Sequence, residues 1–283
     1  MGPSAIRYAG LTAAIERTDV ESVDDGDVGV VRTRGRDPDS DSEGERAKHL
    51  DEIRECAVEL SDQVAEACAD GAVPLVLGGD HSVAIGSVTG ASRDASTGLI
   101  WFDAHGDFNT PETTPSGNVH GMPLAALLGL GSFADREWTT APGLREENVV
   151  LVGLRSLDPP EREAIRESEV TAYTISDIDT RGIAPVVEEA LDIATDGVDG
   201  LHVSLDVDWL DPREAPGVGT PEPGGVSYRE AHSAMELVAE RDARADLLRS
   251  IEVVEVNPIL DEHNRTAELA CELVASLLGE RIL

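Results

Sequence analysis

The sequence predicts an α/β protein, a three-layer α/β/α sandwich with a mostly parallel central sheet. Three observations carry this. Short apolar-rich runs alternate with longer amphipathic ones from about residue 72 to the end. The acid-bearing strings Asp103-Ala-His105-Gly-Asp107 and Asp206-Val-Asp208 each directly follow one of the short runs. Gly78-Gly-Asp80-His81-Ser82 also follows such a run, and Glu255-Val-Asn-Pro258 closes one. Strands alternating with helices argue a parallel sheet covered on both faces. In open sheets of this kind, ligands gather at the carboxyl ends of the strands.

The elements follow in order. A short strand is expected at 28–32, and the acid-rich stretch from Arg36 to Glu45 reads as a surface loop or disordered segment. A long helix covers 45–69, with Gly71 placed to cap it. Strands are expected at 73–77, 98–103, 148–153, 170–174, 200–206 and 248–255. Helices are expected at 82–95, 121–130, 159–168, 184–196, 228–241 and 264–279. There are no internal repeats and no break in composition, so residues 1–283 are read as a single domain.

Composition excludes several functions. The net charge is −34 and Lys48 is the only lysine. Nucleic acid is excluded as a partner, because phosphate binding needs basic patches. No apolar run approaches the ~18 residues of a membrane span, and the start lacks a basic-then-apolar signal pattern. The chain reads as cytoplasmic. Its acids are spread evenly, which points to a solvated surface adapted to high salt and to a halophilic source. Cys56, Cys68 and Cys271 form no Cys-x-x-Cys pair and read as reduced thiols.

The chemistry concentrates in four constellations. His81, Asp103, His105, Asp107, Asp206 and Asp208 gather carboxylates and imidazoles at strand ends, since alternate residues of a strand share a face. Four carboxylates together are costly without a cation. This donor set suits Mn²⁺ better than Zn²⁺. Six ligands suit two ions, which at ~3.5–4 Å apart activate a shared water. The second constellation is the loop from Asn109 to Pro123, with Thr114, Ser116, Asn118 and His120. Its hydroxyl and amide donors either bind a carboxylate or satisfy their own turns, and His120 is a candidate proton shuttle. The third is Gly153-Leu-Arg155-Ser-Leu-Asp158-Pro-Pro-Glu161, whose acids either cap a helix or face a ligand. The fourth is Glu255, a carboxylate suited to a substrate guanidinium.

These strings resemble the manganese ureohydrolases over essentially the whole chain, and most closely the bacterial-type arginase group. The match rests on Gly-Gly-Asp-His-Ser, Asp-Ala-His-Gly-Asp-Phe-Asn, Ser-Gly-Asn-Val-His-Gly-Met-Pro, Ser-Leu-Asp-Val-Asp-Trp-Leu-Asp-Pro with Gly-Val-Gly-Thr-Pro, and Glu-Val-Asn-Pro. The resemblance implies hydrolysis of L-arginine to L-ornithine and urea, by attack of a hydroxide bridging two Mn²⁺ on the guanidinium carbon. It makes His81, Asp103, Asp107 and Asp206 ligands of one ion, and Asp103, His105, Asp206 and Asp208 ligands of the other. Asp107 also steadies the intermediate and passes a proton, and His120 shuttles protons. Glu255, helped by Thr220, holds the guanidinium. Asn109, Thr114 and Ser116 bind the α-carboxylate. Asp158 binds the α-amino group, with Asn118 and Glu161 acting through water. A homotrimer or homohexamer is implied as well.

Agmatine, lacking the carboxylate, would leave the loop donors unpaired. Formiminoglutamase or another guanidino or formimino amino-acid hydrolase is the nearer alternative. A catalytically impaired regulatory homologue would have lost a ligand, Glu255 or His120, and none is lost. The family carries a further strand before Gly2-Pro-Ser-Ala-Ile-Arg. The sheet is therefore expected to lack the family's first strand, and the cellular chain to start upstream of Met1.

Overall fold

The computed structural model describes residues 1–30 and 46–281. Two short helices, α1 (Gly2–Tyr8) and α2 (Leu11–Ile15), open the chain. Then come α3 (Leu50–Ala69), β1 (Leu75–Leu77), α4 (Ala84–Ala91), β2 (Thr97–Phe102), α5 (Pro123–Leu127), β3 (Val149–Leu154), α6 (Pro159–Glu167) and β4 (Thr171–Thr174). The chain continues through α7 (Ile175–Arg181), α8 (Ile183–Ala194), β5 (Gly200–Asp206), α9 (Tyr228–Ala245), β6 (Leu248–Val254) and α10 (Arg265–Leu277).

The strands form one sheet, ordered β1-β6-β5-β2-β3-β4, and every pair is parallel. After β2 the chain adds β3 and β4 on one side; it then returns to place β5 on the other. The direction of winding thus reverses between β2 and β5, where open sheets form their ligand crevice. Phe102 pairs with Leu205, so Asp103 and Asp206 leave the two strands at the same level.

The two middle strands β2 and β3 feed two cores by alternation. Ile100, Phe102, Val150, Val152, Leu201, Val203 and Leu205 pack with α8, α9 and α10. Leu99, Trp101, Val149 and Leu151 pack on the opposite face with residues of α4, α5 and α6. On that second face β5 and β6 present His202, Ser204, Ser250 and Glu252, all fully buried. The three-layer reading holds, with an asymmetry: one face of the central strands is apolar throughout and the other turns polar beneath the strand ends.

The six expected strands from 73 onward fall within one or two residues of their predicted limits. The strand at 28–32 does not form over residues 28–30, and its remainder lies outside the described residues, as does the stretch Arg36–Glu45. The first long helix begins at Leu50, five residues later than predicted, with His49 at φ 58 before it. Gly71 sits just past it at φ 78, where glycine has no Cβ penalty. Three helices were not foreseen. α1 and α2 are too short to show a periodicity of their own. α7 opens on a capping box between Thr174 and Asp177, a signal present in the sequence.

Candidate active site: a carboxylate and histidine cluster

Three of the four strings turn by the same device. Asp103 Oδ1 accepts from the N–H of His105 at 2.7 Å, and Asp206 Oδ1 accepts from the N–H of Asp208 at 2.8 Å. Asp80 Oδ1 accepts from the N–H of Ser82 at 3.0 Å. A carboxylate that bonds the backbone two residues on makes the chain turn at once. The expectation that strand alternation aligns Asp103, His105 and Asp107, and Asp206 with Asp208, is therefore corrected. β2 ends at Phe102, and Asp208 lies in a single helical turn, Val207–Trp209. Asp107 has φ 50, a strained value for a non-glycine residue. Its carbonyl is held by the N–H groups of Leu124 (3.1 Å) and Ala125 (3.4 Å) in α5.

The turns bring two triads together. His81, Asp103 and Asp206 form one and Asp103, His105 and Asp208 the other, with the donor atoms of each within 4.8 Å of one another. His81 Nδ1 stands 3.2 Å from Asp103 Oδ2, 3.0 Å from Asp107 Oδ2 and 3.1 Å from Asp206 Oδ2. Yet this buried nitrogen makes no hydrogen bond to any of them. A lone pair aimed at three carboxylates is the arrangement a cation requires, and the oxygen and imidazole donors fit a hard or borderline divalent ion. His105 Nδ1 lies 3.1 Å from Asp208 Oδ2 and 3.4 Å from Asp103 Oδ1. All six sequence candidates are thus in one cluster.

The charges act on one another at close range. Burial, and then the charge of Asp103, push Asp107 up to about 6. Burial and neighbouring acids raise Asp206 and Asp208 as well. Burial also opposes ionisation of Asp103, but His105 and His81 outweigh it and hold that carboxyl low. Burial disfavours charge on His105, yet Asp103 and Asp208 raise it to about 12. The imidazoles favour ionisation of Asp103, while burial and crowding oppose it at the other three acids.

Behind His81 lies the polar face of β5 and β6. His81 Nε2 meets Ser204 Oγ at 2.7 Å and lies 3.7 Å from Glu252 Oε1. Trp101 stacks on its ring with centroids 4.0 Å apart. Ser87 donates to Glu252 Oε2, and His202 Nδ1 meets Ser250 Oγ at 2.6 Å. These supports were missed in sequence, although Leu-His-Val-Ser-Leu-Asp carries their period of two.

The other candidates surround the cluster. Glu255 has φ 64, and its Oε1 accepts from the His81 N–H at 3.0 Å. His120 Nδ1 is 3.5 Å from Glu255 Oε1, and that carboxylate raises the imidazole against the effect of burial. Thr220 Oγ1 donates to Asp208 Oδ2 at 3.1 Å, so its hydroxyl is turned to a cluster carboxylate. Asn109 is buried and donates from Nδ2 to Asp158 Oδ2 at 3.0 Å. Thr114 Oγ1 accepts from the Gly117 N–H (3.0 Å), and Ser116 Oγ from the Asn118 N–H (3.1 Å). Asn118 Oδ1 lies 3.4 Å from Lys48 Nζ. Glu161 is buried; it accepts from the N–H groups of Phe108 (2.9 Å) and Asp158 (3.2 Å), closing the capping box of α6. Burial pushes it up to about 7.

Comparison with known proteins gives a uniform result. Residues 1–279 match the model of the arginase family. The chain is 46% identical to an arginase of Bacillus caldovelox over 285 residues, covering 100% of this chain and 93% of that one. It is 47% identical to an arginase of Bacillus subtilis (strain 168) over 286 residues, with the same coverage. The solved B. caldovelox structure superposes with a TM-score of 0.93 at 45% identity, again over 100% and 93% of the two chains. An Entamoeba histolytica arginase solved with L-ornithine gives 0.86 at 30% identity, over 99% and 92%.

Proposed function

Since the chain belongs to the arginase family, a group of guanidino C–N hydrolases, we propose that it converts L-arginine and water to L-ornithine and urea with two Mn²⁺. The observation that carries the metal reading is the pair of triads sharing Asp103, with His81 Nδ1 aimed at three carboxylates and bonded to none. Two cations bound there would neutralise the acids and supply a hydroxide at neutral pH.

The chain's own residues do the rest. Glu255 sits beside the cluster, with one oxygen tied to the His81 backbone; its carboxylate would orient a planar guanidinium. Asp107 lies against His81 and would take the proton that the leaving amine needs. His120, held near Glu255, would exchange protons with solvent through its part-exposed ring. Glu161 pins both Phe108 and Asp158, and so sets the Asn109 loop against α6. The Asn109–Asp158 hydrogen bond places a carboxylate-binding donor beside an amine-binding acid. That patch, with Thr114, Ser116 and Asn118, suits an α-amino acid head and not agmatine. The ornithine bound to the Entamoeba relative supports this reading.

The family match over residues 1–279 supports one catalytic domain for the whole chain. Assembly as a homotrimer or homohexamer rests on the family resemblance, and a cytoplasmic location on three unpaired cysteines. No helix among the described residues is long and apolar enough to cross a membrane. The test is a urea assay in molar salt with Mn²⁺, offering arginine and agmatine separately, with formiminoglutamate followed by its own product. Arginine is expected to dominate; equal or better turnover of either rival overturns the assignment.

A further inference from the structure

The proposed reaction leaves one heavily anchored side chain without a role. Arg155 follows β3, and its backbone N–H donates to the carbonyl of Ala104, between Asp103 and His105, at 2.9 Å. Its guanidinium donates to the carbonyls of Asp208 (2.7 Å), Trp209 (3.1 Å) and Leu210 (3.2 Å). It also donates to Glu222 O, from Nη2 at 2.9 Å and from Nε at 3.2 Å, and to Gly153 O at 3.4 Å. One residue thus grips the turn after β2, the turn after β5 and the loop after Thr220.

The cradle is built for this group. A Cβ at Gly225 would stand 2.5 Å from Leu210 C and 2.6 Å from both Asp211 N and Arg155 Nη2, so a side chain there would crowd the backbone and the guanidinium alike. Every acceptor is a neutral carbonyl; the guanidinium therefore gives its geometry to the backbone, and its charge stays available to the nearby acids. A planar fork with five donors can hold carbonyls on several sides, which a lysine ammonium cannot do.

The grip is selective. Asp208 belongs to only one of the two triads, the one with Asp103 and His105. Arg155 holds that residue's own carbonyl, while its hold on Glu222 steadies the loop that brings the Thr220 hydroxyl to Asp208 Oδ2. Asp206 is placed by β5 and by its own turn, and His81 by Ser204 and Trp101. We propose that Arg155 is a positioning residue for the Asp103–His105–Asp208 cation site and not for the His81–Asp103–Asp206 site. This rests on the two-cation reading above.

The experiment counts Mn²⁺ per chain in wild type, Arg155→Lys and Arg155→Ala, by equilibrium dialysis in molar salt. The exchange-coupled EPR signal of a metal pair and the circular dichroism of each protein are recorded alongside. Wild type is expected to bind two ions. Both variants are expected to keep one at wild-type affinity, to bind the second about tenfold or more weakly, and to lose the coupled signal with an unchanged fold. Arg155→Lys keeps the charge and carries the result if the alanine variant does not fold. Two ions at wild-type affinity in a folded variant, or equal loss of both, overturns the assignment of Arg155. A wild type that binds fewer than two overturns the two-cation reading and this proposal with it. Absence of arginine turnover in a two-ion wild type overturns only the substrate reading, because the ion counts do not depend on substrate.

Discussion

Asp103 and Asp206 make the same turn and share one target. Each spends Oδ1 on the N–H two residues ahead, and each turns Oδ2 to His81 Nδ1, at 3.2 and 3.1 Å. Adjacent parallel strands in register place them side by side. Asp206→Ala removes both the turn and one wall of the His81 site. Mn²⁺ binding and urea release are expected to fall by more than the roughly 10- to 100-fold typical of losing an outer partner. Wild-type turnover in that variant would rule out the two-metal reading.

Glu255 holds the His120 imidazole above its ordinary value. Glu255→Gln removes that charge, so the NMR titration midpoint of His120 is expected to fall. An unchanged midpoint would show that the 3.5 Å pair is not maintained in solution.

Glu161 gives a pH signature beside the cluster, where it accepts from the N–H of Phe108. Its folded value of about 7 exceeds the ordinary 4.5 because it is buried. A raised acid stabilises the fold below about 4.5 and loses that contribution as pH rises through about 7. The shift corresponds to roughly 3 kcal/mol at most. In chemical denaturation at constant high salt, Glu161→Gln is expected to flatten the fall in stability over that window. A slope equal to wild type would contradict the placement.

With 56 acids against 22 lysines and arginines, the folded surface repels itself. Exposed pairs such as Arg17–Glu280 and Arg241–Asp192 offset little of this. Moving from molar to millimolar salt is expected to lower the melting temperature by roughly 10 °C, or roughly 3 kcal/mol at this size. An unchanged melting curve in dilute buffer would remove the high-salt reading.

The chemistry was legible because Asp, His and Glu recur at the ends of apolar runs. The geometry was less so. Alternation along a strand was the available rule, but Asp103 accepts from the His105 N–H and ends the strand first. The supports of His81 sit in strands that read as apolar; their histidine and serines alternate, but nothing local says that the face they occupy is buried. Nothing local marks a role for Arg155, because most of its acceptors are carbonyls more than fifty residues away. Backbone acceptors leave no mark in side-chain pattern.

Asp103 is the point at which damage to one triad would spread to the other. It belongs to both triads and also accepts from the Trp101 indole at 2.9 Å. Under the two-cation reading, this one side chain would serve both ions. A substitution at Asp103 would therefore reach both triads at once, whereas one at His81 or Asp208 would reach a single triad.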